Sequence, residues 1–250
     1  MLRTLERAGV KSMMKKRRRQ KEILDRKNML IVEQEPNSPI SEQYKTIRTN
    51  IMFSSVDKPI KTLLFSSATP ASGKSTTASN VAVAFAKAGN RTILVDADMR
   101  KPALHHIFGT RNNRGLSTAI VGGEDYFDMV KEVGEDGLEL LTSGPIPPNP
   151  AELLHSKKMK TMLEDMSKEY DIVIIDSPPL LSVADAQIIG GDVDGTILIT
   201  NVKDNNRDHL VKAKDLLLKS QSNILGVVLN KVDMRANKEY YSYYGYGEES

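Results

Sequence analysis

The 250-residue chain contains no cysteine. Disulfides and thiolate metal sites are thereby excluded, and a reducing compartment fits. No apolar run approaches the ~20 residues that a membrane-spanning helix needs. The N-terminus is basic but lacks the apolar centre of a secretory signal. A soluble, cytoplasmic chain is therefore expected. No internal repeat is evident. Aromatic residues are few, 5% of the chain, so the placing of five of its eight tyrosines within residues 240–246 stands out.

A small net charge of +3 conceals an uneven distribution. Residues 1–27 hold 11 Lys or Arg against 3 acids, hence +8, which leaves −5 for the remainder. The run Lys15-Lys16-Arg17-Arg18-Arg19 lies at the centre of this arm. A solvated tail, a contact with anionic lipid and a contact with nucleic acid all remain open, lipid being the stronger functional reading. No aromatic residue interleaves with the charges, which argues against single-stranded nucleic acid. No specific nucleic-acid partner is expected.

Pro36-Asn37-Ser38-Pro39 breaks the chain, and Ser41 is expected to cap a helix with Tyr44, Ile47 and Ile51 on one face. Beyond Lys61 the pattern becomes regular. Apolar runs predict strands at 62–67, 92–96, 138–141, 171–175, 195–200 and 224–229. Helices are predicted at 74–88, 125–133, 151–168, 185–190 and 206–220. Near-continuous apolar strands alternating with helices indicate an α/β, doubly wound, mostly parallel sheet covered on both faces. At 250 residues one such domain has a sizeable core. The expected organisation is a basic arm over 1–37, a domain over 38–235 and a mobile tyrosine-rich tail over 236–250.

The chemistry begins at Leu63-Leu64-Phe65-Ser66-Ser67-Ala68-Thr69-Pro70-Ala71-Ser72-Gly73-Lys74-Ser75-Thr76. An apolar strand enters a loop of small residues, and Gly-Lys-Ser-Thr opens a helix. That is the layout of a phosphate-binding loop, in which backbone N–H groups at a helix N-terminus cradle phosphates. Residues 69–76 are the expected nucleotide contacts. Lys74 would reach the β- and γ-phosphates, and Ser75 would ligate Mg²⁺. Position 68 holds Ala where this motif has Gly.

Two further apolar runs end in acid. Ile93-Leu94-Val95-Asp96-Ala97-Asp98 and Ile172-Val173-Ile174-Ile175-Asp176 place three carboxylates where a parallel sheet presents its ligands. If the first of these strands neighbours the loop strand, Asp96 and Asp98 point toward the γ-phosphate. Asp176 has the form of the acid that holds Mg²⁺ through water. Arg100 and Lys101 could neutralise phosphate or simply be solvated. Asn230-Lys231-Val232-Asp233 is similar to a guanine-reading element, yet Asn230 could equally meet adenine or form a turn. The tyrosines Tyr240, Tyr241, Tyr243, Tyr244 and Tyr246 form either a disordered tail or a set of phosphate acceptors.

Together these pieces resemble the bacterial tyrosine kinases that regulate capsule and exopolysaccharide synthesis. The resemblance runs from about Ser38 to the C-terminus. It is carried by the loop at 68–75, by Asp96-Ala97-Asp98-Met99-Arg100-Lys101-Pro102 and by the segment from Thr142 through Leu154. Asp176-Ser177-Pro178-Pro179, Asp185-Ala186-Gln187 and the tyrosine cluster complete it. The resemblance implies a phosphate-loop fold of the MinD/ParA type, with ATP and Mg²⁺ as cofactors. It implies Lys74 stabilising the transferred phosphoryl group, Ser75, Asp98 and Asp176 around the metal, and Asp96 accepting the tyrosine proton.

Family members assemble as rings, here expected to be an octamer, in which one subunit's tail enters the next subunit's site. The assembly motif falls on Glu42, Lys45 and Arg48, with Lys45 where relatives have Arg. A membrane adaptor of the polysaccharide co-polymerase type, a protein-tyrosine phosphatase and sugar-nucleotide or polysaccharide enzymes as substrates are the implied partners. The protein would sit peripherally at the inner face of the membrane. The alternative is a partition or positioning ATPase acting as a nucleotide switch, against which Thr69 stands where those proteins carry a signature lysine. A GTPase-like regulator rests on residues 230–233 alone.

Overall fold

A computed structural model describes residues 29–55, 59–134, 136–204 and 207–232. The basic arm over 1–27, Asp233 and the tyrosines of the tail lie outside the described residues.

Seven strands form one sheet in the order β3-β4-β2-β5-β1-β6-β7. They are β1 (Thr62–Ser67), β2 (Thr92–Asp96), β3 (Lys131–Val133), β4 (Leu138–Leu141), β5 (Ile172–Asp176), β6 (Gly195–Asn201) and β7 (Ile224–Asn230). All neighbours run parallel except β3, which pairs antiparallel with β4 at one edge. Strands β1, β2 and β5 are buried along their whole length. Their side chains alternate between two cores, as the two-residue period of a strand demands. Leu63, Phe65, Leu94, Ile172 and Ile174 enter one core, and Leu64, Ile93, Val95, Val173 and Ile175 the other.

The first core is roofed by α1 (Ile31–Gln34), α2 (Pro39–Phe53) and α3 (Lys74–Lys87). Helix α3 is apolar or small on all sides, with Thr77 through Ala86 buried, because it lies between the sheet and α2. The second core is covered chiefly by α5 (Leu116–Gly122), α6 (Pro150–Leu154), α7 (Lys157–Glu169), α8 (Asp185–Gly190) and α9 (Arg207–Lys219). The short α4 (Leu104–Ile107) follows β2.

Several expectations are corrected. The cap of α2 is Ser38, whose Oγ accepts the Ser41 N–H at 3.2 Å, and Pro39 takes the first turn. Ser41 is instead a buried residue within the helix. Its hydroxyl donates to the carbonyls of Glu35 at 2.6 Å and Ile31 at 3.1 Å, fastening α1 to α2. The helix expected at 125–133 is a 3₁₀ turn over Tyr126–Met129 followed by β3. Asp125 caps that turn, and Val130 is already extended, so the apolar spacing there belongs to a short helix and a strand in series. The helix expected at 151–168 is two helices, because Ser156 is extended and caps α7 anew. Packing also begins earlier than the arm boundary at residue 37: Leu30 and Val32 are seated in the first core.

Candidate active site

The phosphate loop leaves β1 at the C-terminal edge of the sheet and turns into α3 at Gly73. Gly73 has φ +90°, a left-handed conformation natural to glycine. Ala71 adopts φ +61° without that freedom. The hydroxyls of Ser67 and Ser72 both donate to the Thr69 carbonyl at 2.8 Å, bracing the turn from within.

The sheet order corrects one premise of the sequence reading. Strand β2 does not neighbour β1, because β5 lies between them. The register aligns Asp176 with Phe65 on one side and with Asp96 on the other. Asp176 thus stands nearest the loop, and Asp98 reaches it from the turn beyond β2. Lys74 Nζ lies 3.1 Å from Asp98 and 3.2 Å from Asp176. Ser75 Oγ donates to the same Asp176 carboxylate at 2.5 Å. The four residues form one contiguous polar group beneath the loop.

Burial sets the electrostatics. It would weaken the Lys74 ammonium, but Asp176 and Asp98 outweigh it and hold the lysine above its ordinary pKa. Burial raises Asp176, against the pull of Lys74 and the Ser75 hydroxyl. Asp96 is pushed up to about 8, first by burial and then by the Asp176 charge. Its oxygens accept the N–H groups of Asp98 at 3.2 Å and of Ala103 and Leu104 at 3.1 Å each. A carboxylate offers about four lone-pair sites, so about one remains.

A cavity of about 640 Å³ opens beside the loop, lined among others by Lys74, Ser75, Asp98, Arg100 and His106. Asp96 lies behind this wall and is fully buried. Arg100 is turned along it by a bidentate pair with Asp185, at 2.9 and 3.0 Å. Asp185, at the start of α8, is fully buried. Its pairing role escapes the sequence because 85 residues separate the partners. Asn230 is engaged by the loop: its amide donates to the Ser72 carbonyl at 2.9 Å, and Lys231 Nζ donates to the Ala71 carbonyl at 2.9 Å. Glu42 and Lys45 pair with each other on α2 at 2.6 Å. Arg48 turns inward, donating to the Ala84 carbonyl at 3.0 Å.

Among the described residues no cluster of three or more His, Asp or Glu forms a metal cage. The donors at Ser75, Asp98 and Asp176 are one hydroxyl and two carboxylates beside a phosphate loop. That oxygen-only set suits Mg²⁺, which binds through one or two protein oxygens, substrate phosphates and water.

A family model described as NUBPL iron-transfer P-loop NTPase, of the ParA type, matches residues 60–250. The tyrosine-protein kinase YwqD of Bacillus subtilis (strain 168) is 46% identical over 211 residues, 84% of this chain and 89% of that protein. The chain belongs to the P-loop tyrosine kinases of bacteria. Two solved structures resemble the kinase. The chimerical protein CapA2B2 is 42% identical with a TM-score of 0.79, covering 82% of this chain and 90% of that one. The kinase domain of the Escherichia coli tyrosine kinase Etk is 31% identical with a TM-score of 0.80, covering 87% and 84%. The positioning-ATPase alternative gives way to these likenesses. Iron transfer, the other activity in the matched description, finds no thiolate ligand here, because the chain has no cysteine.

Proposed function

We propose that the kinase transfers the γ-phosphoryl group of ATP to tyrosines of its own C-terminal cluster, the tail of one subunit entering the site of the next. The observation that carries this reading is Lys74 held between Asp98 and Asp176 at the mouth of a phosphate loop, with Ser75 on the same carboxylate. Lys74 meets the β- and γ-phosphates and stabilises the charge that spreads over the transferred group. The loop N–H groups hold the phosphates in line with the acceptor. Ser75, Asp98 and Asp176 would hold Mg²⁺, which when bound would supply positive charge to the transferred phosphate. Asp96 is the proposed acceptor of the tyrosine proton in its ionised form, whose share grows as pH rises toward about 8. Arg100, aimed by Asp185, faces the incoming acidic phosphate or acceptor.

The domain limits follow the same assignment: an arm before the packed body, a kinase domain to about residue 235 and an acceptor tail over 236–250. Met29 lines the cavity, and its carbonyl accepts the Asn80 amide at 2.6 Å. The basic arm therefore joins the body beside the site. That placement suits an activating segment at an anionic membrane surface, supplied by or working with a membrane adaptor. Among the described residues no helix is long and apolar enough to cross a membrane. Capsule or exopolysaccharide synthesis is the proposed setting, supported by a Klebsiella pneumoniae relative named for the cps region. Enzymes of that synthesis are the proposed substrates, and a protein-tyrosine phosphatase the opposing activity. Ring assembly, as an octamer, is proposed through Glu42, Lys45 and Arg48.

The decisive experiment is mass spectrometry of the purified full chain before and after incubation with Mg·ATP, beside Lys74→Met. Phosphate accumulating on residues 240–246 in the parent alone is the expected result. Hydrolysis of ATP with unmodified tyrosines, even with an adaptor tail supplied, would remove the kinase assignment of this site.

A further inference from the structure

Two carbonyl groups of the phosphate loop, those of Ala71 and Ser72, are held from outside the loop. Asn230, the last residue of β7, donates its amide to the Ser72 carbonyl at 2.9 Å. Lys231 donates its ammonium to the Ala71 carbonyl, also at 2.9 Å. The two holders are themselves fixed. Asn230 Oδ1 accepts the Lys231 N–H at 2.8 Å, which leaves the amide nitrogen for the loop. Lys231 sits at φ +60°, a turn that brings its side chain back over the loop. The fit is close: a Cβ on Gly73 would lie 2.0 Å from Asn230 Nδ2.

A peptide unit is planar and trans, so its C=O and the following N–H point in opposite directions. A donor on the Ser72 carbonyl therefore turns the Gly73 N–H away from β7. A donor on the Ala71 carbonyl does the same for the Ser72 N–H. These are loop donors of the kind that bind phosphate. We infer that Asn230 and Lys231 are positioning residues that preset the Ser72 and Gly73 N–H groups toward nucleotide phosphates. The inference rests on reading residues 68–75 as the phosphate site.

This loop needs an outside hold more than a glycine-rich one does. Ala replaces Gly at position 68, and Ala71 occupies a left-handed conformation in which its Cβ is crowded. The charge of Lys231 also polarises the Ala71–Ser72 peptide, making its N–H a stronger donor. The role differs from base recognition, the other task open to Asn230. Base recognition would act on the purine alone, whereas the hold acts on the phosphates whatever base is attached.

The test uses the full chain without phosphotransfer. Binding of MgATP and of magnesium pyrophosphate, the latter by competition with a fluorescent ADP, is measured for the parent, Asn230→Ala, Lys231→Met and Lys231→Arg. Lys231 is exposed, so folding is not at stake in its variants. Asn230→Ala and Lys231→Met are each expected to weaken both ligands in the same proportion, by about 3- to 15-fold. Lys231→Arg keeps a cationic donor and should recover most of that loss. Amide exchange at Ser72 and Gly73 in the nucleotide-free protein should quicken in the two disruptive variants. Pyrophosphate affinity within twofold of the parent in both would overturn the inference. Weakened ATP with unchanged pyrophosphate would also overturn it and would assign Asn230 to the base. Failure of tyrosine phosphorylation is a separate result, since neither readout depends on it.

Discussion

At the residue scale, Lys74 is held by its own two carboxylates and, in the proposed mechanism, also meets phosphate. Lys74→Met should lower phosphotransfer by at least about 100-fold, the cost typical of losing one preorganised electrostatic contact. Anti-phosphotyrosine signal against time measures it. Asp96 carries a prediction about pH. Its folded pKa of about 8 lies above the unfolded value of about 3.9, so the stability linked to it is fully present below pH ~4. That contribution is lost as pH rises through about 8. Asp96→Asn stays neutral, so without Mg²⁺ and nucleotide its melting temperature should gain on the parent's between pH 5 and 8.5. A constant difference across that range would count against the raised pKa. The same variant should lower kcat by about 10²- to 10⁴-fold if Asp96 takes the acceptor proton. The residues of this site are legible in the sequence because each follows an apolar strand. Their pairings are not, since Asp185 and Lys231 act on partners far away in the chain.

At the element scale, what the sequence conveys best is the buried strand. Strands β1, β2 and β5 are long apolar runs, and nothing else competes to explain them. The short pieces between are harder to read. Residues 125–133 contain Tyr126, Met129 and Val133 at spacings a helix would use, yet a 3₁₀ turn and an edge strand bury the same three side chains. Pairing with β4, a tertiary fact, decides the matter. The bridge between α8 and the turn after β2 is likewise tertiary. Asp185 is buried while Arg100 is 39% exposed, so solvent screens part of their attraction. Asp185→Ala should cost about 1–2 kcal/mol in urea unfolding. It should also raise KM for the phosphorylated or acidic ligand more than a comparably destabilising change far from the cavity.

At the scale of the whole molecule, the sheet order decides which strand ends meet. Inserting β5 between β1 and β2 gathers the loop and two acids from distant segments at one edge of the sheet. The N-terminal boundary is also a property of the whole. Removing residues 1–28 should leave the melting temperature within about 2 °C of the parent, whereas removing 1–37 strips Leu30 and Val32 from the core. At about 2 kcal/mol for such a loss and 2–4 °C per kcal/mol, the second truncation should melt at least about 4 °C lower by calorimetry. Assembly is tested by light scattering on Glu42, Lys45 and Arg48 replaced together by Ala, expected to give monomers. Leu30 has a mechanical consequence as well. A pull on the chain ahead of it meets a hydrophobic anchor one residue from Met29 in the cavity wall, so a force applied there would be delivered as a tug on the rim of the nucleotide site.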